Sequence, residues 1–219
     1  MSQSRGERTR DRRTHDRYGR ESVLFARLLA LSDGVFAISL TLLVLNIEVP
    51  ADAETGGLAP ALVALQPDLI AFAVTVFVVG IYWRNHHQLF ETFRGLDGTL
   101  VGLSIGYLAL IALVPLPNDL LSSYPGDPWA YVAFALLLTL LSALDTGAFV
   151  YAWRSGLVRR SMTAATARTE VIRGLVSTVV FAASAPLAFA LVGFTPLLWI
   201  ALLVLDRLVV SAGERADLD

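Results

Sequence analysis

The sequence contains no cysteine, which excludes disulfides, thiolate metal sites and cysteine nucleophiles. It contains no lysine either, so all 17 basic residues are arginines. Charge of any kind is scarce. Charged residues make up 16% of the 219 and hydrophobic residues 55%, whereas an ordinary soluble domain is about 25% charged. A mean hydropathy of +0.62 makes the chain too apolar for a cytoplasmic globule. It is further still from intrinsic disorder, which requires low hydrophobicity. The net charge of -2 says little; the positions of the charges say more.

What the sequence does have is long apolar runs. Residues 1–22 form a polar, Arg-rich tail without the apolar core and cleavage site of a signal peptide. We read it as a flexible cytoplasmic segment in preference to a nucleic-acid arm. Six apolar stretches follow, at about 23–47, 67–86, 96–114, 129–153, 174–192 and 196–210. Each is close to the roughly 20 residues a helical span needs. They are continuously apolar rather than alternating, which favours helices over a barrel. The fold class predicted is all-α membrane protein, with a six-helix transmembrane domain over 23–212 and a short tail at 213–219.

Arginine placement gives the expected orientation. The segments 48–66 and 115–128 contain no Arg but carry Glu48, Asp52, Glu54, Asp119 and Asp127. The other side collects the N-terminal tail, Arg84, Arg94, Arg154, Arg159, Arg160, Arg168, Arg173, Arg207 and Arg215. An excess of arginine marks the cytoplasmic side, so both termini are expected there. Tyr82, Trp83, Tyr124, Trp129, Tyr151 and Trp153 mark the borders as an aromatic belt.

The first stretch carries the most information. An aspartate within an apolar helix, here Asp33, is costly and points to function. At about 100° per residue, Arg27, Gly34, Ile38 and Leu45 share one narrow stripe, with Thr41 and Leu42 beside it and Ser32 and Asp33 directed elsewhere. Two readings remain open for each group. Ser32 and Asp33 either tie helices together or act directly, and Ile38 is either core or constriction. His86 and His87 point about 100° apart on a helix and make a poor pair of metal ligands. Asp145, in the fourth stretch, has no partner visible in the sequence.

The run Arg27-x-x-x-Leu31-Ser32-Asp33 resembles the Arg-x-x-x-Phe-Ser-Asp signature of the transmembrane protein 175 family, the lysosomal potassium channels and their bacterial relatives. Leu31 stands in place of the Phe. Trp83-Arg84-Asn85-His86-His87-x-x-Phe90 is similar to the family's Trp-x-x-His-His-x-x-Phe pattern. The third stretch, ending in Val114-Pro115-Leu116-Pro117, also fits, with Ser104 near a family Asn. The resemblance covers roughly residues 24–120.

The resemblance implies a bacterial member in the inner (plasma) membrane: a potassium-permeable cation channel that is not an enzyme, in which the first helices of a homotetramer line a central pore. It places the pore constriction on Ile38, with Leu42 and Leu45 as further apolar layers, and the polar layer bearing on potassium preference on Thr41. It implies a polar network of Arg27, Ser32, Asp33, Trp83, His86 and His87 between the first two helices. Glu48, Asp52 and Glu54 would stand at the outer mouth, either concentrating cations or as a plain solvated loop. No Thr-Val-Gly-Tyr-Gly filter occurs, since Gly106-Tyr107 lies mid-span, so apolar rings would gate by excluding water. No cofactor or nucleic-acid partner is expected; the permeant ion is K+, and the surroundings are lipid and monovalent cations. The alternative is a proton-coupled secondary transporter using Asp33 and the His86/His87 cluster, although inverted repeats and broken helices are not evident.

Overall fold

The computed structural model describes residues 18–47, 57–195, 199 and 201. The described chain is mostly helical. A two-residue strand β1 (Tyr18–Gly19) precedes α1 (Val23–Leu45), and the short α2 (Leu58–Ala64) leads into α3 (Gln66–Thr92). Then come β2 (Gly95–Leu96), α4 (Gly98–Ala112), α5 (Pro115–Ser123), α6 (Pro128–Arg154) and α7 (Ala164–Leu187). Among the described residues, α1, α3, α4 joined to α5, α6 and α7 are each long and apolar enough to cross a membrane. The protein is a multi-pass membrane protein. The sixth stretch, 196–210, lies outside the described residues except for Trp199 and Ala201, as do Glu48, Asp52 and Glu54.

The helices begin where the sequence supplies side-chain caps. Ser22 Oγ accepts from Phe25 N at 3.3 Å, Asp97 Oδ1 from Leu100 N at 3.0 Å, Asp127 Oδ1 from Trp129 N at 2.9 Å and Thr163 Oγ1 from Thr166 N at 3.1 Å. Each satisfies an orphan helix-start donor, for about 1 kcal/mol. Asp68 occupies the first turn of α3 behind Pro67, where the helix dipole favours an acid. α6 closes on Gly156, in the left-handed region at φ 64°. Gly156 N donates to Trp153 O and Leu157 N to Ala152 O, the paired bonds of a Schellman cap.

Several boundaries differ from expectation. The second span runs on to Thr92, and the fifth starts ten residues early at Ala164, because polar side chains there still suit a helix: Arg173 pairs with Glu170 one turn back at 3.2 Å. The segment 115–128 is largely helical, because Leu113 and Val114 keep right-handed helical angles across the break. Pro115 has no N–H to donate, so the chain tightens there into bonds such as Val114 N to Ile111 O.

α6 is the central post. Half of its most apolar stretch is buried, against 11% for α7, which lies at the periphery and packs chiefly on α6. The two approach closely enough at Gly174 that any Cβ there would collide with Thr146; small residues at such crossings let membrane helices pack. α1 packs on α3, α4 and α5.

One end of the bundle is stitched by backbone bonds. β1 pairs antiparallel with β2, Tyr18 opposite Leu96. A Cβ at Gly95 would sit 2.7 Å from Tyr18 O, so this crossing requires glycine. Arg94 N donates to Leu157 O at 2.8 Å and Arg159 N to Thr92 O at 2.9 Å, joining the α3–β2 turn to the loop after α6.

Candidate functional site

α1 has one face packed against the other helices of the chain. Phe25, Leu28, Ser32, Phe36, Ser39 and Leu43 are its buried residues. The polar members make specific bonds. Ser32 Oγ donates to Leu28 O at 2.9 Å and lies 3.2 Å from His86 Nε2; Ser39 Oγ donates to Ile111 O at 2.9 Å. At the end of the helix, Asn46 Nδ2 donates to Pro115 O at 3.2 Å. These ties hold α1 to α3, to α4 and to the proline break. Sequence reasoning missed Ser39 and Asn46, yet a signal was there: 32, 39 and 46 are seven apart, two helical turns, on one face.

The opposite face projects away from those helices. Ile38 is 60% exposed, Leu45 68% and Leu42 40%; Arg27, Gly34 and Thr41 are exposed with them. Thr41 Oγ1 donates to Ile38 O at 2.8 Å. The residues expected on one stripe therefore do share it, and the described residues leave them exposed.

The polar residues around the signature divide into two groups. His86 is buried, bonded to Ser32 and stacked on Tyr107 with ring centres 4.6 Å apart and planes at 6°. His87 turns outward. Its Nε2 lies 3.4 Å from Asp33 Oδ1 and its Nδ1 3.3 Å from Trp83 O. Trp83 Nε1 donates to the same Asp33 oxygen at 3.0 Å, so the carboxylate is clamped between an indole and an imidazole. The Asp33 side chain is 53% exposed among the described residues. Arg27 stays outside this network: among the described residues it makes no hydrogen bond or ion pair, because it lies on the exposed stripe, about 120° around the helix from Asp33. Tyr107 was noted only as part of a failed filter motif; its stacking role depends on a helix crossing that a single sequence does not reveal.

These residues fall within one matched region. Residues 27–115 match the family profile described as endosomal/lysosomal potassium channel TMEM175. This region, from the first span to the proline break, is similar to the TMEM175 family. Among similar proteins, a potassium channel of Streptomyces collinus is 39% identical over 127 residues, covering 58% of this chain and 62% of that protein. An endosomal/lysosomal proton channel TMEM175 of Mus musculus is 36% identical over 110 residues, covering 47% of this chain and 22% of that one. The fold matches the crystal structure of a lysosomal potassium-selective channel TMEM175 homolog from Chamaesiphon minutus. That match has a TM-score of 0.72 and 26% identity, over 84% of this chain and 96% of that one. The alignments span about three-fifths of the length of the bacterial relatives, and the profile match over 27–115 holds most of α1, the Trp83–His87 cluster and Pro115.

Proposed function

We propose that the protein is a potassium-permeable cation channel in which four copies of α1 line a central pore. The observation that carries this reading is the division of α1: one face is bonded and buried in the subunit, while the other displays Ile38, Leu42 and Leu45. A row of large apolar residues on the N-terminal helix, opposite its packed face, needs a role that lipid alone does not explain when Thr41 and Arg27 lie on the same row. Four Ile38 side chains facing one axis form a ring that excludes water and so resists ion passage. Leu42 and Leu45 extend the apolar lining outward, and Thr41 supplies its polar layer. Selectivity then rests on pore width and hydroxyl oxygens, with no ring of backbone carbonyls, and preference for potassium over sodium is modest.

In this reading Ser32–His86 and Asp33–Trp83–His87 are the brace that fixes the rotation of α1 about its axis, which decides whether Ile38 faces the pore. Both termini lie in the cytoplasm and the protein resides in the bacterial inner membrane, with K+ as permeant ion and no cofactor. Glu48, Asp52 and Glu54 would stand at the outer mouth. The coupled-transporter alternative has less support, since Ser32 and the stacked rings hold His86 on the buried side of α1, opposite the exposed row.

The test is potassium flux from liposomes carrying purified protein, wild type against Ile38→Asn. Flux that rises, or loses its ion preference, in the variant supports a constriction at Ile38. Equal flux in both proteins removes Ile38 from the pathway, and no flux in either, with folded tetramers present, ends the channel reading.

A further inference from the structure

The hydrogen bonds around Ser32 fix which nitrogen of His86 carries the proton. A hydroxyl has one hydrogen, and that of Ser32 goes to Leu28 O. Toward His86 Nε2 the Ser32 oxygen therefore accepts, so Nε2 bears the N–H. His86 Nδ1 is left as the second polar atom of a buried ring, without a hydrogen-bond partner among the described residues. One other atom nearby shares that condition: Asp145 Oδ1, on α6, is buried and unpartnered.

Both side chains line the same narrow cleft between α3, α4 and α6, with room for about one water. Its remaining polar lining has no donor to offer them. Ser104 Oγ donates to Leu100 O at 2.8 Å, and Tyr107 OH donates to Tyr82 O at 3.4 Å. The rest is apolar, including Leu89, Phe90 and Leu144. Two residues that each carry a buried, unpartnered acceptor thus line one small space whose other polar groups donate elsewhere. Buried polar atoms of native proteins are nearly always satisfied, by ordered water where the protein offers nothing.

We propose that this cleft binds one water molecule that donates one hydrogen to His86 Nδ1 and the other to Asp145 Oδ1. A water carries two donors and matches the two acceptors. If Asp145 holds a proton, it donates to the same water, which still donates to Nδ1. A metal ion suits the site poorly: no group of three or more His or acidic side chains gathers among the described residues. The water completes a hydrogen-bonded line from Leu28 O through Ser32 and His86 to Asp145, linking α1 to α6 across α3. This inference holds whether or not the protein conducts ions.

Imidazole ¹⁵N NMR on the full chain in lipid nanodiscs tests it. The sequence has three histidines, so His15→Gln and His87→Gln identify the His86 signals. The expected result is a proton on Nε2, an Nδ1 resonance displaced toward that of a hydrogen-bonded acceptor, and a cross-peak from water to the His86 ring. Asp145→Asn, nearly isosteric, is expected to move the Nδ1 resonance while leaving His87 in place. A proton on Nδ1, an unbonded Nδ1 with no water cross-peak, or an Nδ1 resonance unmoved by Asp145→Asn overturns the proposal. So does a cross-peak from ¹⁵N-ammonium, added as a cation probe, in place of the water signal. The wild-type spectrum decides by itself if the variant does not fold.

Discussion

The two faces of α1 are built from similar amounts of apolar material but are used differently. On the buried face, Phe36 packs beside the stacked His86 and Tyr107, with ring centres 6.0 and 6.3 Å away, and three polar residues seven apart make bonds to other elements. On the exposed face, Ile38 and Leu45 are left mostly uncovered by the described residues. The difference teaches that hydrophobicity along a membrane helix does not reveal which side is core. Bonding does: the side that carries hydrogen bonds to neighbours is fixed, and the side without them is left for lipid, a pore or another copy.

Substitutions along both faces can break or sharpen that contrast. Phe36→Ala opens a cavity among packed rings and is expected to lower unfolding free energy by about 3–5 kcal/mol, as read by thermal or denaturant unfolding in detergent. Ser32→Ala leaves the His86 Nε2–H without its acceptor, and a loss of about 1–3 kcal/mol is expected in the same assay. Ile38→Ala, two residues from Phe36 on the other face, is expected to change stability by no more than about 0.5 kcal/mol while raising potassium flux. A stability loss at Ile38 matching that at Phe36 would erase the distinction between the faces. Thr41→Val is expected to have the smallest effect: the fold is unchanged and the potassium-to-sodium permeability ratio, measured from reversal potentials, shifts by less than the tenfold that corresponds to about 1.4 kcal/mol.

Much of this was legible in the sequence, for reasons that also mark the limits. The alignment of Ile38 with Leu45, and their separation from Ser32, follow from 3.6 residues per turn alone. The divergence of His86 and His87 by about 100° follows equally, and the structure sends one to Ser32 and the other to Asp33. Partners were a different matter. Ser32 and His86 are 54 residues apart, and no local rule states which turn of α3 lies against which turn of α1. Arg27 illustrates the cost: grouped with Asp33 through the shared motif, it lies on the other face. The early start of α7 was hidden because Thr, Arg and Glu at 166–173 read as loop by hydropathy, although they propagate a helix without difficulty. Asp145 was visible as an oddity, but its relation to His86 depends on a crossing of three helices.

The stitching at one end of the bundle has a consequence for how the chain is assembled. β1 precedes the first span, yet its partner β2 follows the second, and Arg20 reaches the carbonyl of Glu91 across 71 residues of sequence. At a synthesis rate of about 5–20 residues per second, the ribosome needs roughly 4–14 s to deliver that partner. For those seconds α1 must hold its place in the bilayer by apolarity alone. The lock on its leading end closes only once the returning helix has emerged beside it.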